Sequence, residues 1–354
     1  NGAVQIFRGS PSGPRAGAVL TVADLRRRPG SDRFGAALAA ADLDGDRDDE
    51  LIVGIPGLRG GGGVAVFGLR GRGVRPGPFV TQRTGWVAQR AAETDGFGSV
   101  LAAGDFDGDG RAEIAVGAPD DGPRGAGTVT VLDPLERSAT YVGQDEPGVG
   151  GTSERADAFG SALAAADFDG DGRDDLAVGV PGEDPAGSAD EAEGAVQVLG
   201  GPGMRRLGPT LTGGGPPGSW IGPRTGPSTG PRTGRNGRFG AALAAGDLDG
   251  DGVPDLAVGA PGGGEVRVLR GVRGSGPRGR GAVVVSSPAG PGARFGDALA
   301  VCGRGRGTSL VIGAPGARDF GGSVFAVRAL DAAAARAAVQ LPVQPRGLTG
   351  YRLG

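Results

Sequence analysis

The chain has no histidine and no lysine, one cysteine (Cys302), and aromatic residues at only 5% of its 354 positions. Without histidine it lacks the commonest general base and the commonest zinc ligand. One cysteine excludes an internal disulfide and a cysteine-based metal site. Every basic residue is arginine. The 37 arginines face 40 acidic residues, for a net charge of −3 and a pI of about 5.3, so no global basic field favours nucleic acid. The Arg-Gly stretches at 278–280 and 303–306 are short and lack interleaved aromatics, which argues against nucleic-acid binding there too. The lysine deficit beside excess Ala, Gly and Pro reads as GC-rich coding bias. No apolar run reaches the roughly 18 residues of a membrane span. No signal peptide is visible, but the chain starts at Asn1 and is expected to be processed or a fragment of a longer multidomain protein.

What is abundant is glycine, at 77 of 354 residues and without a Gly-X-Y period. Short apolar runs separate the glycine clusters, so the glycine belongs to tight turns between strands. The run from Phe97 to Pro119, FGSVLAAGDFDGDGRAEIAVGAP, organises the chain. Copies run from Phe34 to Pro56, Phe159 to Pro181 and Phe239 to Pro261, each with a Phe-to-Pro separation of 22, and a degraded copy runs from Phe295 to Pro315 with a separation of 20. Phe-to-Phe spacings are 63, 62, 80 and 56. A repeat this regular sets the fold.

Within 97–158 the unit reads as a strand Ser99–Gly104, an acidic loop Asp105–Glu113, a strand Ile114–Ala118, a Pro/Gly loop Pro119–Gly127, and strands Thr128–Leu132 and Ala139–Val142. The Ala-rich first strands could be helical on propensity alone. Each is only about six residues long, however, and recurs beside β-branched runs such as Leu51–Val53, so strand is the better assignment. Four-stranded antiparallel units repeated radially make an all-β fold, a β-propeller. Coils of an open solenoid are shorter, and their Gly-Gly-x-Gly-x-Asp pattern is absent.

Residues 1–33 hold runs Ala3–Phe7 and Ala18–Val22 and read as the second half of a repeat. Blade-length units then follow at 34–96, 97–158, 159–238, 239–294 and 295–350, and 351–354 resembles the start of another. Gly213–Gly237 and Glu183–Glu193 read as solvated connections, the former with a binding loop as the minority reading. Near the end, Ser323–Val327 and Ala338–Val343 read as strands, with a short helical turn over Leu330–Ala338.

Each acidic loop places carboxylates at positions 1, 3, 5 and 9, and position 7 would add its backbone carbonyl. Oxygen alone in a flexible shell suits Ca²⁺ better than Mg²⁺. The ligand sets are Asp42, Asp44, Asp46 and Glu50 with Asp48; Asp105, Asp107, Asp109 and Glu113 with Arg111; Asp167, Asp169, Asp171 and Asp175 with Arg173; and Asp247, Asp249, Asp251 and Asp255 with Val253. EF-hand loops share the first half of this pattern but continue to a Glu at position 12, where this chain has Val116 in a strand. An ordinary Asp/Gly turn would explain one loop. Four loops of clustered like charge call for a cation. Arg47 stands where the other loops have Gly at position 6, which weakens loop one if that position needs φ > 0. The fifth copy, Val301–Ser309, has no carboxylate and is expected to bind no metal; its Arg304 and Arg306 read as solvated turn residues.

Phe-Gly, Asp-x-Asp-Gly-Asp-Gly-x-x-Asp and Gly-Ala-Pro in this order resemble the FG-GAP repeat of the integrin α-chain N-terminal propeller and of bacterial integrin-like propellers. The resemblance covers nearly the whole chain. It implies a propeller of the seven-bladed family type, here expected to be truncated to about six. It also implies about four structural Ca²⁺ sites, extracellular placement (secreted or cell surface), and non-catalytic recognition of a protein or glycan in adhesion. The alternative is the propeller of a secreted hydrolase or lyase. Against catalysis stand the missing His and Lys and the absence of a Gly-x-Ser-x-Gly elbow. Asp95, Asp157 and Asp297, the carboxylates near Phe-Gly motifs, read as turn residues.

Overall fold

The computed structural model describes all residues except 1, 29, 70–72, 88–90, 185–192, 214–236, 291, 304–307, 318–320, 329–338 and 341–354. The 214–236 stretch, most of the Glu183–Glu193 connection, Arg304, Arg306, the proposed helical turn over Leu330–Ala338 and the 351–354 segment therefore lie outside the described residues.

Six antiparallel sheets follow one another along the described chain. A two-stranded sheet comes first, β1 (Ala3–Arg8) and β2 (Arg15–Thr21). The next holds β3 (Leu38–Ala41), β4 (Glu50–Gly54), β5 (Gly63–Gly68) and β6 (Arg75–Thr81). Then come β7 (Val100–Gly104), β8 (Glu113–Ala118), β9 (Thr128–Asp133) and β10 (Ser138–Val142). The fourth sheet has β11 (Ala162–Ala166), β12 (Asp175–Val180) and β13 (Ala195–Gly200), with both β14 (Arg205–Arg206) and β15 (Leu211–Thr212) paired to β13. The fifth has β16 (Ala242–Gly246), β17 (Asp255–Ala260), β18 (Glu265–Arg270) and β19 (Arg278–Ser286). The sixth has β20 (Ala298–Cys302), β21 (Ser309–Ala314), β22 (Ser323–Arg328) and β23 (Val339–Gln340). The fold is all-β, and these sheets have the form of propeller blades. Each four-stranded sheet meanders in sequence order, and β3, β7, β11, β16 and β20 pack successively against one another.

The Ala-rich runs are strands because each is held between neighbours. Its own sheet continues on one side, through pairs such as Ala102↔Ala115, and adjacent first strands press on the other. Small side chains allow that spacing, which overrides the helical preference of alanine. Core clusters lie between sheets. One joins Val129, Val131 and Val142 of the third sheet to Leu176, Val178 and Leu199 of the fourth, with Phe159 at the boundary.

The recurrent Phe and Gly follow from this stacking. Phe34, Phe97, Phe159, Phe239 and Phe295 are all buried. Each following glycine donates its N–H to the carbonyl of its own sheet's second-strand glycine, as in Gly98→Gly117 (3.2 Å) and Gly160→Gly179 (3.0 Å). Its carbonyl abuts the corresponding glycine one sheet earlier. An ideal Cβ on Gly117 would come 2.4 Å from Gly160 O, and one on Gly54 2.1 Å from Gly98 O. Only glycine allows backbones this close.

Candidate metal centres

The four acidic loops join the first and second strands of the second to fifth sheets, so all sit at the same edge of the stack. One hydrogen-bond pattern curls them. Position 1 accepts from the backbone of position 6: Arg47 N to Asp42 (2.8 Å), Gly110 N to Asp105 (2.9 Å), Gly172 N to Asp167 (3.0 Å) and Gly252 N to Asp247 (3.2 Å). Position 5 accepts from position 7 at 2.8 to 2.9 Å. Position 9 reaches back to the N–H of position 2: Leu43 to Glu50 (3.1 Å), Phe106 to Glu113 (2.8 Å), Phe168 to Asp175 (3.1 Å) and Leu248 to Asp255 (2.9 Å). The position-2 side chains are buried and anchor each loop to the core. Sequence reading passed over them, although Leu, Phe, Phe and Leu inside acidic runs are a visible apolar signal.

The curl gathers carboxylate oxygens. Asp105, Asp107, Asp109 and Glu113 each bring one within 4.8 Å of the others. So do Asp42, Asp44 and Glu50; Asp167, Asp169 and Asp175; and Asp247, Asp249 and Asp251. Asp46, Asp171 and Asp255 stand outside these groups. Asp171 is drawn aside by Arg173 Nη2 at 2.7 Å, and Asp255 accepts from Gly271 N (3.1 Å) as well as Leu248 N. Arg111 likewise pairs with Asp109, and also with Glu136 (3.0 Å), but leaves Asp109 in its group. In the fourth loop the position-7 residue is buried Val253, and Arg270 reaches Asp249 at 2.9 Å.

Electrostatics concentrate at position 9. Burial, reinforced by the neighbouring aspartates, pushes Glu113 and Asp175 up to about 7 and Asp255 up to about 6, and it raises Glu50. Such carboxyls lose solvation when ionised, and a cation is the natural compensation. The donor set is wholly oxygen, so these residues fit a hard cation, and the four clusters can hold metal ions. Arg47 has φ 71°, so loop one does use the left-handed conformation at position 6.

The loops are also tied to each other through position 8, a link that sequence reading missed. Ala112 N donates to Asp42 O of the preceding loop (3.0 Å), and Asp174 N donates to Asp105 O (2.8 Å). The equivalent residue of the fourth loop is Pro254, which has no N–H to give.

At the opposite edge, Asp95 accepts from Ala92 N (2.6 Å) and Asp157 from Glu154 N (2.7 Å), while Asp297 pairs with Arg294 at 2.7 Å. All three serve local turns. Cys302 is an exposed free thiol. No helix among the described residues is long and apolar enough to cross a membrane.

The FG-GAP repeat family matches residues 34–67, 97–132, 159–199 and 239–290. Integrin alpha-PS2 of Drosophila melanogaster is 33% identical over 231 residues, 63% of this chain and 14% of that protein. Integrin alpha-IIb of Homo sapiens is 33% identical over 273 residues, 71% of this chain and 23% of that protein. The chain thus spans under a quarter of these relatives. Among solved structures, rhamnogalacturonan lyase YesW is similar at a TM-score of 0.45 and 16% identity, covering 94% of this chain and 53% of that one. Rhamnogalacturonan lyase YesX gives 0.41 and 17%, with coverages of 88% and 48%. Likeness at this level carries no argument about activity.

Proposed function

Because the chain carries FG-GAP repeats and is distantly similar to integrin α chains, we propose that it is a calcium-stabilised, non-catalytic recognition propeller of the cell surface or secreted space. The observation that carries the reading is the recurrence of one oxygen-only carboxylate cluster at the same turn of four consecutive sheets. Ca²⁺ would be held by the gathered carboxylates of each loop. When bound, it neutralises charge that the fold has brought together. The chain's own residues do the rest: the position-2 side chains anchor the loop, and the position-6 amides shape it.

Recognition is assigned to the opposite edge, where the loops after Gly-Ala-Pro and the connections between sheets lie. Loops on a rigid scaffold are natural contact surfaces. A role outside cells is supported by the integrin likeness and by the high Ca²⁺ available there. The ligand class is a protein or a glycan. Against catalysis, the clustered carboxylates are committed to the loops and the remaining ones near Phe-Gly cap turns.

Calorimetric Ca²⁺ titration and melting with EDTA test the first half, with uptake and a lower Tm expected. No uptake and an unchanged Tm would refute it. Binding to arrays of glycans and of purified surface proteins, with and without Ca²⁺, tests the second. Turnover on a panel of glycosides and esters would overturn the non-catalytic reading.

A further inference from the structure

A second group of oxygen donors lies at the other edge of the stack, between the third and fourth sheets. Gln144 follows β10, Asp157 precedes Phe159, Glu183 follows β12, and Gln197 lies within β13. Gln144, Gln197 and Asp157 are buried at 1%, 2% and 1% exposure, and Glu183 is partly buried. The Gln144 amide donates to Glu183 Oε2 (2.6 Å) and is also hydrogen-bonded to Asp157. Gln197 donates to Gly150 O (2.7 Å). The two amides flank the α-carbon of Gly151, where an ideal Cβ would lie 3.3 Å from Gln197 Nε2 and 3.4 Å from Gln144 Nε2. Yet Gln144 Oε1 and Gln197 Oε1 are buried with no hydrogen-bond partner among the described residues. Turning the Gln144 amide over would not help, because its oxygen would then face Glu183.

At the boundary one sheet earlier the amide oxygen Gln82 Oε1 is likewise buried without a partner among the described residues, but protein donors meet the carboxylate of the equivalent group. Gln82, Asp95 and Asp121 have the same separations, 13 and 26, as Gln144, Asp157 and Glu183. There Gln82 joins Asp121 (3.0 Å) and Asp95, while Thr128 Oγ1 (2.9 Å) and Gly122 N (2.6 Å) also donate to Asp121. In the next sheet Ala195 occupies the place of Thr128, opposite Val180 as Thr128 is opposite Ala118, so that hydroxyl is gone. Further negative charge comes from Asp145, Glu154 and Asp184. Arg124 turns to Ser153 O (3.5 Å) and Arg206 to Thr210 Oγ1 (3.4 Å).

We infer that Gln144, Asp157, Glu183 and Gln197 form a cation site for Ca²⁺ of a different construction from the acidic loops, built from two carboxylates and two amide oxygens contributed by adjacent sheets. Two unsatisfied buried acceptors beside two carboxylates are an excess that a hard cation fills. The site would clamp two blades together at the edge where recognition loops lie. It does not depend on the acidic loops binding calcium.

Bound Ca²⁺ per chain, counted by equilibrium dialysis with elemental analysis, tests the assignment. Glu183→Gln is expected to lose one Ca²⁺ relative to the native chain, and Asp107→Asn to lose a different one. Ala195→Thr, which restores the hydroxyl of the preceding boundary, is expected to weaken Ca²⁺ at this site about tenfold and keep the fold. Loss in Glu183→Gln but not in Asp107→Asn would leave this site standing and refute the loop sites. Loss only in Asp107→Asn would overturn this site. If Glu183→Gln does not fold, a terbium-soaked crystal of the native chain decides. An anomalous peak among these four side chains supports the site, and an ordered water there overturns it.

Discussion

At the residue scale, position 9 of each loop carries the largest electrostatic strain. In the metal-free chain the folded Glu113 titrates near 7 against an ordinary value of 4.5. A carboxyl raised on folding contributes stability that is fully present below its ordinary value and lost as pH rises through the folded one. Glu113 and Asp175 therefore make the calcium-free protein progressively less stable from about pH 4 to about pH 7, and Tm in EDTA should fall across that interval. With Ca²⁺ bound the same groups are held ionised, and the slope should reverse. Parallel slopes with and without Ca²⁺ would contradict the site. Glycine provides a second test. Gly127→Ala would put a Cβ 2.3 Å from Phe159 O and is expected to cost more than about 2 kcal/mol in urea unfolding. Gly172→Ala meets no atom within 4 Å but has φ 92°, so about 1 kcal/mol is expected. Carboxylate positions in the loops could be read from spacing. The withdrawal of Asp171 could not, because it depends on the rotamer of Arg173 and on a fold-determined distance.

At the scale of the element, the strand 1–2 hairpin is the unit that the repeat preserves, and the metal loop is its turn. The fifth copy keeps β20 and β21 in register through pairs such as Leu299↔Ile312 although its loop, Val301–Ser309, has no carboxylates. Strand pairing there rests on apolar contacts with the preceding sheet, including Phe295 and Leu310. Neighbouring hairpins are coupled through position 8. Ala112→Pro should fold, since Pro254 fills the equivalent place, but it removes the hydrogen bond to Asp42 O. Weaker Ca²⁺ binding at loop one, with loop four unchanged, is the expected outcome in a titration. Equal affinity at both would show that the loops act independently. Strand positions were legible because each apolar run is bounded by Gly or Asp. The coupling was not, because it joins residues 70 positions apart, as in Asp42 O to Ala112 N.

Across the whole molecule, the sheets share their cores, so damage at one boundary reaches two blades. Phe159→Ala opens a cavity between the third and fourth sheets and is expected to cost about 3 to 5 kcal/mol, read as a lower urea midpoint. A loss confined to a few tenths would show that the boundary repacks. The sequence by itself determined the repeat, its four strands per unit, the all-β class and the residues of the acidic loops, because strand alternation, turn glycines and clustered carboxylates are local signals. Only the tertiary structure decided how those units meet. The contact of Gly160 O with Gly117, the partnering of Gln144 with Glu183 across a blade boundary, and the unsatisfied oxygens of Gln144 and Gln197 all join distant segments. Whether a buried polar group finds a donor depends on which backbone or side chain the fold brings beside it, and no local pattern records that.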